Sequence, residues 1–443
     1  MTLMISNAKR MKPCALAGIT CLLAVSAAST SAYASSNSPE GATTDATINV
    51  LMPDPPPPNL AAFTAKTGIK VNWENVDFDS METKIVAAST ANTYFADATD
   101  VDWSVAGEYA KLKWFYPIEQ YLNVQSMMPD VAQLAAFKVG SVYEAVPYDS
   151  SFGVTTINTV MFKKAGITSI PTTIAEYTED LQALKAKGVV KYPLNIPFAA
   201  GEWLSTYWYE LSYAYGGHVL STSGKPLFTN PSSPGYKAAA WMVNAMKTGL
   251  VAPGEIDETG PLAFHDLVAK GLVATTFQDN AGHVGTLYDN PSASTVVGQI
   301  EYIRVPGLNG PVAGLDDPDG IGIPRTAKNP KAAAALIAWL TSEPSQATFA
   351  GLNGAANAWS AGMPNRSSVL EQLAAKGLAG GRFLLAALKA SQPAFSPAPP
   401  VAYPQFSEAV YTNLHEAAAG TESVAGAMNA IASVANQIAS EGD

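Results

Sequence analysis

The sequence predicts an α/β fold in two lobes, and three observations carry that expectation. The chain has 443 residues, too many for one ordinary hydrophobic core. An apolar fraction of 48% supplies packed cores and excludes wholesale disorder. From residue 47 onward, short apolar strands alternate with amphipathic helices, which is how βαβ units read in sequence. No spacing of 20–50 residues recurs, so solenoids and propellers are excluded.

The N-terminus reads as an address. Lys9, Arg10 and Lys12 form a basic region, an apolar stretch runs from Cys14 to about Ala28, and Ala32-Tyr33-Ala34 is a small-x-small cleavage signal. Residues 1–34 are therefore expected to be a signal peptide, and 35–45, small and polar, a flexible leader. Neither Cys14 nor Cys21 stands in a lipobox, which points to the free periplasm rather than a lipid tether. Both cysteines leave with the signal, removing disulfides, thiolate metal sites and cysteine nucleophiles. The segment carries three basic and no acidic residues, so cleavage takes the net charge from −11 to −14. An acidic chain lacks the clustered positive field that a nucleic acid requires.

Thr47–Met52 reads as a buried strand, followed by Asp54 and the run Pro55 to Pro58. A helix pattern covers Leu60 to Thr67 and stops at Gly68, and Ile69 to Trp73 alternates as a strand. A helix around Met81–Ala91 and a strand over Ala98–Trp103 repeat the unit. Longer helices follow at Ile174–Lys187, Trp203–Tyr215, Pro234–Thr248, Leu262–Lys270 and Lys331–Leu340. Gln405 to Ile438 reads as two amphipathic helices split near Gly420. The Pro-rich stretch Gln392–Pro404 before them is expected to lack regular structure.

Hydrolase, phosphate-loop and zinc-protease motifs are absent. Gly320-Ile321-Gly322 has Arg325 where a dinucleotide fingerprint needs a glycine. Asp317-Pro318-Asp319 begins like a calcium loop, yet Ile321 and Lys328 occupy ligand positions. The four histidines, His218, His265, His283 and His415, show no i, i+3 or i, i+4 pairing with one another, so no metal site is expected. Asp102, Asp149, Glu202 and Asp279 could serve a glycosidase as acid and base, or simply accept hydrogen bonds from sugar hydroxyls.

Five segments together resemble the family 1 extracellular solute-binding proteins of ABC importers. They are Val146-Pro147-Tyr148-Asp149 with Asn158 to Ile167; Tyr215-Gly216-Gly217 through Lys225 and on to Lys247-Thr248-Gly249; Ala269 to Ala274; Asp319 to Pro324 with Pro330 to Ala334; and Gly362 to Leu370, a Gly-x-Pro-x-Arg-x-Ser-x-Leu pattern. In the third, Lys270 and Gly271 stand in reversed order relative to the family. The resemblance implies an α/β, two-lobed periplasmic-binding-protein fold with a hinge and an interlobe ligand cleft. It implies crossings near residues 150–158, 313–318 and 345–350, with lobe 1 formed by 46–149 and 315–345 and lobe 2 by 150–314 and 346–443. The expected role is capture of a sugar, oligosaccharide or polyol and its delivery to a membrane permease, by a monomer without catalysis, cofactor or metal.

A sugar offers hydroxyl edges and apolar faces, so its site needs planar polar groups and aromatic platforms. The resemblance places ten residues there: Asp54, Asp102, Trp103, Tyr148, Asp149, Glu202, Trp203, Asp279, Asn280 and Arg366. Each has a structural alternative, such as turn formation by Asp54, a helix N-terminal role for Glu202 and an ion pair for Arg366. Tyr403 and Phe406 are expected to be core or a further stacking wall. The same acid-rich set would suit a polyamine, the nearest rival ligand class.

Overall fold

The computed structural model describes residues 45–257, 261–352, 363–378, 380–395 and 398–441. The expected signal peptide and all but the last residue of the leader lie outside the described residues, as does Gly362 of the fifth motif. Among the described residues, no helix is long and apolar enough to cross a membrane.

The elements that position the site begin with β1 (Thr47–Met52), α1 (Leu60–Thr67), β2 (Lys70–Asn75), α2 (Phe78–Thr90), β3 (Ala98–Asp102), α3 (Ala106–Leu112) and β4 (Val146–Pro147). Next come β5 (Gly153–Asn158), α4 (Ile174–Ala186), β6 (Leu194–Asn195), α5 (Glu202–Ala214), α6 (Pro234–Lys247), α7 (Pro261–Ala269), β7 (Thr275–Asn280) and β8 (Ile300–Ile303). The last are β9 (Leu315–Asp316), β10 (Asp319–Gly322), α8 (Pro330–Leu340), β11 (Gln392–Pro393), α9 (Tyr403–Ala419) and α10 (Val424–Ser440).

Local chemistry sets several of these limits. Asp77 caps α2 by accepting from Ser80 N, and Thr173 and Glu176 form a reciprocal capping box on α4. Gly68 and Gly420 close α1 and α9 in the left-handed conformation that glycine adopts without steric cost. The Pro-rich stretch departs from expectation at both ends. Gln392–Pro393 pairs in parallel with Leu315–Asp316, and Pro404 sits in the first turn of α9. In such a first turn a missing N–H costs nothing.

Two main sheets result. One has the order β2-β1-β3-β10-β4, with β1 parallel to β2 and β3, and β10 antiparallel to both neighbours. The other has the order β8-β5-β7-β6, with β5 antiparallel to β7 and β8. Ile48, Val50, Met52, Phe63, Ile321 and Leu336 bury one face of the first sheet. The chain leaves that sheet after Pro147, joins the second at Gly153, and returns between Ile303 and Asp319.

The two passages touch. A Cβ on Gly314 would lie 1.8 Å from the Gly153 carbonyl oxygen, and one on Gly153 would lie 2.6 Å from Glu210 Oε2. Glu210, buried on α5, accepts from Leu315 N at 2.8 Å. Burial pushes its carboxyl up to about 8, helped by Asp316 and opposed by the Leu315 N–H. A carboxyl raised in the folded state holds its proton where the unfolded chain has lost it, so stability falls as pH rises from about 4.5 to 8. Glu210→Gln supplies a permanently neutral isostere. Urea unfolding should find it within about 1 kcal/mol of wild type near pH 4.5, but more stable by on the order of 3 kcal/mol at pH 8. A variant less stable at pH 8 would show that the charged carboxylate supports this junction.

Candidate functional site

An aromatic ring at the end of the first sheet meets residues from the C-terminal helices and the return passage. Trp103 follows β3, is 6% exposed, and stacks on Phe395 at 6.2 Å and against Tyr403 at 5.8 Å. Its Nε1 donates to Asp317 Oδ1 at 2.7 Å. Tyr403 opens α9 and its hydroxyl donates to Glu202 Oε1. Ser407 Oγ donates to Glu202 Oε2 at 2.5 Å. Glu202 and Trp203 open α5. Trp103 from one sheet and Glu202 from the helices over the other therefore share a single contact chain.

Carboxylates gather at the same end of the first sheet. Antiparallel pairing of β10 with β3 sets Asp319 opposite Asp102. Tyr148 OH donates to Asp100 Oδ2 at 3.0 Å and reaches Asp54 Oδ2 at 3.3 Å, while Asp319 N donates to Asp149 Oδ1 at 3.0 Å. Burial lifts Asp54 to about 6 against the Tyr148 hydroxyl, and lifts Asp102 to about 6 against the Ser104 donors. Burial and then the surrounding carboxylates hold Asp100, Asp317 and Asp319 well above the usual range. Among the described residues, no Lys or Arg ion pair involves Asp54, Asp100, Asp102, Asp317 or Asp319. The arrangement can accept hydrogen bonds, donate them from its protonated members, or neutralise a cation.

The ten expected residues separate into groups. Asp54, Asp102, Trp103, Tyr148 and Asp149 assemble at the end of the first sheet, and Glu202 joins them through Tyr403. Trp203 stands edge-on to His265 at 5.4 Å, beside Asp279 and Asn280 at the end of β7. Asp279 is fully buried and accepts from Thr156, His283 and Tyr288. Arg366 takes the structural alternative of an ion pair. Its Nε donates to Thr341 O at 2.6 Å and its Nη1 to Asp130 Oδ2 at 3.0 Å, so the guanidinium ties the C-terminal end of α8 to a loop. Asp100, Asp317, Asp319 and Phe395 were not among the expected residues; Tyr403, in ring contact with Trp103, and Phe406 are both buried in one core cluster. Folding brings the rings of His265 and His283, 18 residues apart, to 4.1 Å.

The family model for bacterial extracellular solute-binding proteins matches residues 43–347. The chain belongs to this family. Solved structures agree with the fold of this solute-binding protein. A Thermotoga lettingae ABC-transporter solute-binding protein bound with alpha-D-tagatose has TM-score 0.76 at 20% identity, covering 89% of this chain and 100% of that one. Maltose-bound T. maritima MalE3 gives 0.76 at 18% identity, covering 88% and 100%. A ribitol complex from Agrobacterium radiobacter K84 gives 0.75 at 20% identity, covering 89% and 98%. No curated protein sequence matches the chain significantly. The solute-binding protein thus has the two-lobed periplasmic-binding fold.

Proposed function

We propose that this solute-binding protein is the periplasmic receptor of an ABC importer, capturing a sugar or polyol between its lobes and delivering it to a membrane permease. Trp103 carries the reading: an aromatic platform from the first sheet meets Tyr403, which holds Glu202 from the second lobe. Ring faces suit the C–H faces of a polyol and the carboxylates suit its hydroxyls. The tagatose, maltose and ribitol held by the similar structures support the same class. The lobes comprise 46–149 with 315–345, and 150–314 with 346–443. The protein works as a monomer that binds without turnover, after a signal peptide ending at Ala34 is removed.

Thermal unfolding against sugars, polyols and polyamines tests this. A ligand at about 100 times its Kd should add about 2.7 kcal/mol, several degrees of shift. Trp103→Ala should lower the unfolding temperature and abolish the ligand-induced increment measured from its own baseline. A full increment in that variant would sink the site assignment. A second reading, a polyamine or other cationic solute, is favoured by the buried carboxylates that form no Lys or Arg ion pair. Its mark is a shift with polyamines alone that fades with salt.

A further inference from the structure

Asp279, at the end of β7, receives two histidines from separate elements. His283, four residues on, donates from Nδ1 to Asp279 Oδ1 at 2.6 Å. His265, on α7, places its Nδ1 3.5 Å from an Oδ1 of the same carboxylate. One ligand atom from each of the three residues lies within 4.8 Å of the other two, and all three residues are buried. Thr156 Oγ1 and Tyr288 OH each donate to Asp279 Oδ2 at 2.7 Å, which orients the carboxylate. The Tyr288 oxygen also lies 3.4 Å from His265 Nδ1.

We propose that His265, Asp279 and His283 form a binding site for a divalent transition-metal ion of the zinc class. A tetrahedral zinc ion with bonds of about 2.0–2.1 Å sets its ligand atoms about 3.3 Å apart. The 3.5 Å separation already meets this, and the 2.6 Å one opens by less than an ångström when the ion replaces the shared proton. Two imidazoles and one carboxylate suit zinc, cobalt or nickel; calcium and magnesium call for oxygen-rich sets. A hydrogen-bonded Asp–His pair needs only one imidazole, whereas here two buried rings share one carboxylate oxygen. Tyr288 and Thr156 act as the outer contacts that fix such a ligand. Trp203 rests edge-on against His265, so an ion here would brace the start of α5 from behind the ligand cleft.

The purified protein, stripped with a chelator, is titrated with Co2+ and then Zn2+, with Mg2+ as control. The expected result is one equivalent of Co2+ with the visible absorption of a four-coordinate ion, displaced by Zn2+. Zn2+ should also raise the unfolding temperature by several degrees, and Mg2+ should not. His265→Gln and His283→Gln should each lose at least about 100-fold in affinity. The wild-type spectrum decides the question if either variant fails to fold. No Co2+ absorption and no Zn2+ shift in wild type would overturn the proposal and leave a hydrogen-bonded network only. Undiminished binding in both variants would overturn it by placing the metal elsewhere, such as at His218 or His415.

Discussion

Gly314→Ala is expected to destabilise the protein by at least about 3 kcal/mol, or to prevent folding. The added methyl would fall 1.8 Å from the Gly153 carbonyl oxygen, with the Gly153 carbonyl carbon at 2.6 Å. The obstacle is backbone, so no side-chain rotation relieves it. Ordinary overpacking costs about 1–3 kcal/mol because neighbours adjust. Here the neighbour is the other passage between the sheets, held in β5 by pairing with both β7 and β8. Moving it would disturb two ladders and Glu210 together. Gly201→Ala serves as the control: its backbone is extended and nothing lies within 4 Å of the added carbon. That variant should stay within about 1 kcal/mol of wild type. Urea unfolding followed by circular dichroism compares them, and equal midpoints would refute the close-approach argument.

Local signals made much of the fold legible. The first βαβ unit was readable because one strand is an apolar run and the other alternates, its helix ends at a glycine, and each element is written within a few residues. The helix bounds were readable for the same reason, since caps act over three or four positions. The site was legible only where a single element presents it. Trp103 at a strand end and Glu202 at a helix start could be read that way. Asp317 and Asp319 could not, because they reach Asp102 and Trp103 only when β10 returns antiparallel to β3 more than 200 residues later. The partner of Arg366, Asp130, lies 236 residues away, so the motif revealed the arginine and not its task. The Asp279–His283 pair did carry a readable signal, an i, i+4 spacing, which a search for histidine pairs alone passes over.

The protein should also be markedly more stable at pH 5.5 than at pH 8, by at least about 2 kcal/mol. Between pH 6.5 and 8 an unfolded chain keeps its carboxylates ionised and sheds the last of its His265 proton, so the folded carboxyls dominate the difference. Burial sets Glu144 at about 7 and Glu210 at about 8, and holds Asp100, Asp317 and Asp319 well above their usual range. The folded state therefore binds more protons than the unfolded state across this window. Stability must then fall as pH rises, by about 1.4 kcal/mol per unit for each carboxyl that stays protonated. Below pH 6.5 His265 opposes the trend, because the unfolded imidazole takes up a proton that the buried one refuses. Asp54 and Asp102, both near 6, act in the same direction as the other carboxyls and outweigh it. Urea unfolding at the two pH values is the measurement, and a protein more stable at pH 8 would mean that cations or water neutralise the cluster. Asp102→Asn with Asp319→Asn should flatten the curve, because the first removes a charge that raises Asp100 and the second removes a carboxyl itself held well above the usual range. These carboxyls weaken the fold at neutral pH, yet they stand where Trp103 and Glu202 converge. A ligand that donates hydrogen bonds or positive charge to them recovers part of that loss, so binding should stabilise the protein more at pH 8 than at pH 5.5.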